Sequence, residues 1–216
     1  MILSHSKKFI FVHNYKVAGT SVRNALRPYN NKSFWASNFG DKIKFLNGDY
    51  PKVYSKAFAH HINAPELKKN ISPEIFDSYF KFGFVRNPWD WQVSLYKFML
   101  KREGHRQHEL IKGMKSFDEY INWRVNEDLQ LQKKFFYVGD ECLIDFIGKM
   151  ENLDNDFAEI CKKIGVESAL PRLNASRAKT DSFLNYYTQE TIDLVNEAFQ
   201  EDIKLFGYSK PILKHT

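Results

Sequence analysis

A lysine, a glycine and two hydroxyl side chains lie close together in one short segment, Lys16–Ser21. The segment follows an apolar, strand-like run, Phe9–Val12, and precedes apolar residues at helical spacing. Where a helix begins, backbone N–H groups point outward and the helix dipole favours negative charge. A strand, a glycine-containing turn and a helix start are together typical of an anion site, which a phosphate or sulfate group would fit. An ordinary turn with a solvated Lys16 is the alternative.

The segment differs from the loop of P-loop nucleoside triphosphatases, G-x-x-x-x-G-K-[ST], in which lysine directly precedes the hydroxyl. Here Lys16 comes four residues before Thr20, and Asn14 or a neighbour takes the place of the first glycine. No second segment has the pattern of an apolar strand that ends in a magnesium-binding Asp. The sequence therefore predicts no metal and disfavours a magnesium-dependent ATPase.

A second candidate site lies where the strand-like run Tyr79–Val85 gives way to a helical pattern. Asn87 is a suitable N-cap, and Pro88 suits the first helical turn. Arg86 therefore leaves the carboxyl end of a strand, where ligands of open parallel sheets bind, and Ser94 lies about two turns along the helix. An arginine fork with a hydroxyl suits a phosphate monoester. A surface ion pair for Arg86 and an exposed hydroxyl for Ser94 are the alternatives.

Two adjacent histidines, His60 and His61, lie between these segments. A neutral imidazole, with an ordinary pKa of ~6.5, accepts a proton near neutral pH and is a candidate general base. If the two residues are on a strand, their rings point to opposite faces. The residues alone leave open which histidine would act.

The two segments carry a family resemblance. Lys16–Ser21 resembles the 5′-phosphosulfate loop of sulfotransferases, and Arg86-Asn87-Pro88 with Ser94-Leu95-Tyr96 resembles their 3′-phosphate motif. Over most of its length the chain is similar to the Golgi-type and bacterial carbohydrate sulfotransferases. The resemblance implies an α/β fold with a P-loop nucleotide-kinase-like parallel sheet. It also implies metal-independent transfer of a sulfuryl group from 3′-phosphoadenosine 5′-phosphosulfate (PAPS) to a hydroxyl of a carbohydrate.

The resemblance further implies residue roles. Lys16 would be catalytic, acting on the bridging oxygen and the sulfonate. The family often has a histidine followed three residues later by alanine, as in His61 and Ala64, which implies His61 rather than His60 as the base. A late basic loop of some relatives makes Arg177 a candidate for the 3′-phosphate, with an exposed charged loop as the alternative. The nucleotide-binding residues implied are Lys16, Ala18, Gly19, Thr20, Ser21, Arg86, Ser94 and Arg177.

Strand-like runs alternate with helical patterns along the chain, which predicts an α/β fold with a parallel sheet flanked by helices. The predicted strands are Phe9–Val12, Tyr79–Val85 and Leu143–Met150, and the predicted helices include those starting after Ser72 and Ser116, one over Leu153–Ile164 and a last one through Ile192–Phe206. There is no repeat or linker, so we expect one domain over residues 1–216. Within it, Lys97–Phe136 would be a helical insertion on the acceptor side.

The positive charge of the chain is concentrated near its start. Residues 1–60 contain ten Lys or Arg and two Asp or Glu, whereas the whole chain has a net charge of +6. Such a field suits nucleic acid, a membrane surface or a small anion. A nucleic-acid-binding module is disfavoured because the aromatic residues lie in apolar strand patterns rather than among basic residues. A non-catalytic nucleotide-binding protein or a P-loop kinase-like phosphotransferase would also account for an anion site after the first strand.

The longest apolar runs have four residues, far fewer than the ~20 of a membrane span, and no secretory signal is recognisable. Cys142 and Cys161 lack the spacing of a metal site and are interpreted as reduced core residues. These features favour a cytoplasmic location.

Overall fold

The structure is a computed structural model that describes residues 1–30, 61–171 and 182–213, together with residues 42, 43 and 46. The strands are β1 (Ile2–Ser4), β2 (Phe9–Phe11), β3 (Phe80–Val85), β4 (Tyr137–Val138), β5 (Glu141–Cys142) and β6 (Phe146–Lys149). The helices are α1 (Gly19–Leu26), α2 (Ala64–Asn70), α3 (Pro73–Ser78), α4 (Pro88–Lys101), α5 (His108–Lys112), α6 (Phe117–Asn126), α7 (Leu153–Ile164), α8 (Gln189–Ala198) and α9 (Gln200–Leu205). The chain forms two compact units, one of residues 1–84 and 134–172 and the other of residues 85–133 and 173–216.

A four-stranded sheet with the order β1-β2-β3-β6 is the centre of the first unit. β1 is antiparallel to β2, and β2 is parallel to β3 with Phe9 opposite Phe80 and Phe11 opposite Phe82. Phenylalanine side chains of β2 and β3 contact one another, as in the stacked Phe11–Phe82 pair at 5.3 Å. Apolar residues of α1 and α7 pack with them in one core. The predicted α/β fold, with a parallel-containing sheet flanked by helices, is confirmed.

The second unit is helical. α4 begins at Pro88 because the Asn87 side chain accepts hydrogen bonds from the N–H groups of Trp89 and Asp90, at 3.1 and 3.4 Å. Trp89 and Trp91 are fully buried in a core that also contains apolar residues of α5, α6, α8 and α9. The secondary-structure elements between residues 97 and 136 are all helical, and their role as an insertion on the acceptor side stays a prediction. One domain over residues 1–216 stays a prediction.

Several local predictions need correction. The strand β1 was not predicted, because Ile2 and Leu3 are followed by a polar stretch that hides so short a strand. The predicted strand Leu143–Met150 is limited to β6, and the predicted last helix is interrupted at Phe199, between α8 and α9. The prediction of two core cysteines is wrong for Cys142, which is exposed on the short hairpin strand β5, whereas Cys161 is buried.

No described helix combines the length and the apolar character that crossing a membrane requires.

His5 provides a test of the first unit. Its Nδ1 lies 2.7 Å from the Tyr79 hydroxyl, and burial lowers the pKa of His5 to about 4. The ring is therefore neutral in the folded chain while it titrates near its ordinary value in the unfolded chain. Above pH ~6.5 the ring is neutral in both states, so its titration does not affect stability. As the pH falls from there to about 4, the unfolded chain binds a proton that the folded chain does not, and the free energy of unfolding decreases by about 3 kcal/mol.

We expect His5→Asn, which cannot titrate, to lose about 3 kcal/mol less unfolding free energy than the wild type between pH 7 and pH 4. Urea denaturation at both pH values measures the difference. Equal pH dependence of the two proteins would contradict a buried neutral His5.

Candidate functional site

The loop between β2 and α1, His13–Ala18, has a strained backbone. Lys16 and Ala18 have positive φ values of 56° and 58°, whereas Val17 between them does not. Alternating left-handed and ordinary residues turn successive backbone N–H groups toward one point, which is the geometry of an anion-binding nest. Since left-handed residues other than glycine cost about 1–3 kcal/mol each, the surrounding structure must hold them.

The N-terminus of α1 continues this arrangement. Ala18 is the N-cap residue, its side chain makes no capping hydrogen bond, and the first turn contains no acidic residue. Ser21 is buried, Thr20 is exposed and Lys16 is partly exposed. The positive end of the helix dipole thus lacks a negative side chain of its own helix, so the segment suits an anionic group of a ligand.

Asn14 ties the loop to the sheet. Its fully buried side chain donates a hydrogen bond to the Phe84 carbonyl of β3, at 3.4 Å, and accepts one from the N–H of Tyr15, at 2.7 Å. Asn14 is therefore an anchor between the loop and β3.

Gly19 is required by a neighbouring side chain. A Cβ atom added there would lie 1.7 Å from Nε2 of His13. The His13 ring is buried and stacks on Phe11, with ring centroids 5.6 Å apart. Gly19 does not have a positive φ, so its lack of a side chain, and not its dihedral angles, explains the glycine.

His61 lies against this loop. Its ring is 4.4 Å from the ring of His13 and 4.1 Å from that of Tyr15, measured between centroids. Nδ1 of His61 is 3.0 Å from the carbonyl oxygen of His13. Because a carbonyl can only accept, Nδ1 carries the proton, and in the neutral ring the lone pair is on Nε2. The structure therefore brings His61 to the β2–α1 loop in the tautomer that a general base at Nε2 needs.

Arg86, in the second unit, is buried and follows β3 in the chain. Its Nε donates to Asp90 Oδ2 at 2.7 Å, one helical turn further on. The ion pair fixes the guanidinium group. Both partners are buried, whereas the alternative considered from the sequence was an ion pair at the surface. Ser94 is partly exposed on α4, seven residues after Asn87.

Two further buried residues hold Arg86, and sequence reasoning missed both. Gln132 hydrogen-bonds the backbone of Arg86, and Asp202 accepts a hydrogen bond from the backbone N–H of Gln132. They are 46 and 116 residues from Arg86, so no local pattern could connect them. The Arg86–Asp90 pair could have been found from its i,i+4 spacing.

Arg177 and His60 lie outside the described residues, and their roles stay predictions. The β2–α1 loop and His61 belong to one unit and are close together. The ring contacts of His13 and Tyr15 with His61 were not predicted. Polar residues shortly after a buried strand are the signal that could have indicated them.

A substitution at Gly19 tests the packing of the loop. We expect Gly19→Ala to lower the free energy of unfolding by about 1–3 kcal/mol, because the methyl group must displace the His13 ring. Gly104→Ala is the control, since a Cβ there meets nothing within 4 Å, and we expect it to change stability by less than about 0.5 kcal/mol. Urea denaturation of both variants decides, and equal stabilities would contradict the close approach.

Comparison with known proteins finds carbohydrate sulfotransferases among the relatives of this chain. A protein of Archaeoglobus fulgidus, named only as an uncharacterized protein, is 29% identical over 51% of this chain and 88% of its own length. Carbohydrate sulfotransferase 14 of Danio rerio is 25% identical over 81% of this chain and 57% of its own length. Carbohydrate sulfotransferase 10 of Pongo abelii is 24% identical over 77% of this chain and 59% of its own.

This chain thus spans little more than half the length of these carbohydrate sulfotransferases. The profile of the Sulfotransferase family, by contrast, matches residues 1–209 of the 216. With a match over nearly its full length, the chain belongs to the sulfotransferase family.

Proposed function

We propose that the chain transfers a sulfuryl group from PAPS to a hydroxyl of a carbohydrate. Membership of the sulfotransferase family supports sulfuryl transfer. The observation that carries the proposal is the β2–α1 loop, with positive φ at Lys16 and Ala18 and an N-terminus of α1 without a side-chain cap. These backbone groups suit the 5′-phosphosulfate, and Thr20 and Ser21 add hydroxyl donors.

In the proposed reaction the acceptor hydroxyl attacks sulfur in line. A new S–O bond forms, the S–O bond to the bridging phosphate oxygen breaks, and adenosine 3′,5′-bisphosphate leaves. Lys16 binds the bridging oxygen and the sulfonate, where negative charge develops. His61 Nε2 takes the hydroxyl proton, because its Nδ1 proton is held by the carbonyl of His13.

The proposed contacts to the 3′-phosphate are those of Arg86, Ser94 and Arg177. A guanidinium group can donate two parallel hydrogen bonds to phosphate oxygens. The buried ion pair with Asp90 orients the guanidinium group of Arg86 before a ligand binds. Ser94 is proposed as a hydroxyl donor to the same phosphate, and Arg177 as a further ligand.

The carbohydrate acceptor is supported by the similarity to carbohydrate sulfotransferases. The test is transfer of ³⁵S from labelled PAPS to a panel of glycans, phenols and simple alcohols. We expect transfer to a glycan. Transfer to phenols or alcohols alone would refute the carbohydrate acceptor but keep sulfuryl transfer, and transfer to none would count against the whole proposal. A cytoplasmic location stays a prediction.

Substitutions separate the two catalytic roles. We expect Lys16→Ala and His61→Ala each to lower kcat by roughly 10²- to 10⁴-fold, because the first removes charge stabilisation and the second removes the base. Added imidazole should restore part of the activity of His61→Ala only. Lys69→Ala, which changes an exposed side chain of α2, should keep kcat. Near-wild-type activity of His61→Ala would remove His61 as the base.

Arg86 is tested by binding. Arg86→Ala would leave the buried Asp90 carboxylate without its ion pair, so Arg86→Lys is the better variant. We expect Arg86→Lys to weaken binding of adenosine 3′,5′-bisphosphate about tenfold, because the planar fork is lost, and to leave binding of adenosine 5′-monophosphate unchanged. Calorimetry measures both affinities. Unchanged affinity for the bisphosphate would contradict the role of Arg86.

A further inference from the structure

The side chain of Gln132 acts on Arg86 as a neighbouring strand would. Its Oε1 accepts a hydrogen bond from the N–H of Arg86 at 3.0 Å, and its Nε2 donates one to the carbonyl of Arg86 at 2.7 Å. Gln132 is fully buried. One amide group therefore satisfies both backbone groups of Arg86, just past the end of β3.

Gln132 is itself fixed by α9. Oδ2 of Asp202 accepts from the backbone N–H of Gln132 at 2.7 Å, and Oδ1 accepts from that of Lys133 at 2.9 Å. Asp202 is fully buried, and burial raises its pKa to about 6. A carboxylate that gives both oxygens to consecutive N–H groups holds the backbone at Gln132 in one place.

The guanidinium of Arg86 is held separately. Asp90 binds its Nε, and the backbone N–H of Asp90 is bound in turn by the Asn87 cap. The side chain and the backbone of Arg86 thus have independent buried partners in the second unit. Since a shift of about 1 Å in a ligand-binding group is enough to weaken its contacts strongly, both sets are needed for accurate placement.

We propose that Gln132, held by Asp202, is a positioning residue for Arg86 in recognition of the 3′-phosphate of the nucleotide. This inference rests on the proposed function. It extends the proposed nucleotide site to two residues that act through Arg86, Gln132 directly and Asp202 through Gln132. The substrate chemistry concerned is a nucleotide that carries a phosphate on the 3′-hydroxyl of its ribose.

The test compares affinities for two nucleotides. The preference for adenosine 3′,5′-bisphosphate over adenosine 5′-monophosphate reports the 3′-phosphate contact alone. A residue with a general structural role would change stability, or both affinities together. A positioning residue for Arg86 changes the preference and leaves the affinity for the monophosphate near its wild-type value.

Gln132→Met keeps the length of the side chain but removes both hydrogen bonds to Arg86. We expect it to lower the preference for the bisphosphate by about five- to tenfold. Asp202→Asn, which retains one acceptor oxygen, should lower the preference in the same direction by a smaller factor, and it serves if Gln132→Met does not fold. Gln92→Met is the matched control, because Gln92 is also fully buried in the second unit but bonds the hydroxyl of Tyr120.

A double variant completes the experiment. If Gln132 acts through Arg86, then Gln132→Met should change the preference little in an Arg86→Lys background. Calorimetry gives the affinities, and circular dichroism melting shows that each variant is folded.

The outcomes are distinct. Loss of preference in Gln132→Met but not in Gln92→Met supports the inference. The inference is overturned, and the proposed function stands, if the wild type prefers the bisphosphate and the folded Gln132→Met and Asp202→Asn variants keep that preference. A wild type without any preference would overturn the proposed function and the inference with it.

Discussion

The parallel pairing of β2 with β3 is the constraint on which the first unit depends. Its register sets Phe11 opposite Phe82, and the N–H of Val12 still donates to the Phe82 carbonyl, at 2.8 Å, beyond the last residue of β2. Asn14 then bonds the carbonyl of Phe84. The chain after β2 therefore stays hydrogen-bonded to β3 through Val12 and Asn14 before α1 begins. This attachment stabilises the strained dihedral angles of the loop.

Buried polar groups occur at both places where the chemistry is proposed. Burying a polar side chain without a hydrogen bond costs free energy, so buried polar side chains usually have hydrogen-bond partners. In the first unit His13 and Asn14 are buried within the loop. In the second unit four buried residues form a chain of hydrogen bonds that runs from Asp202 through Gln132 and Arg86 to Asp90. Both sets fix backbone as much as side chains, which suits sites that must be formed before a ligand binds.

The features that could be predicted from the sequence are local ones. The start of α4 at Pro88 follows from the Asn87 cap, and the end of α7 follows from Gly165, which has a positive φ of 62°. The strand, turn and helix around Lys16 were recognisable for the same reason. Contacts across long sequence separations were not, because the stacking of Tyr15 on His61 and the hold of Gln132 on Arg86 depend on the tertiary fold. Cys142 was misplaced because an apolar neighbourhood in sequence does not show which residues of a short hairpin face solvent.

The two left-handed residues of the loop also limit which sequences can replace it. A β-branched side chain at position 16 or 18 would crowd the backbone at these φ values, so valine, isoleucine and threonine are excluded there on steric grounds alone. At position 19 any Cβ atom would have to displace the His13 ring. The backbone shape therefore restricts the residues at positions 16, 18 and 19, whatever group the loop binds. Of the three, only position 16 carries a long charged side chain.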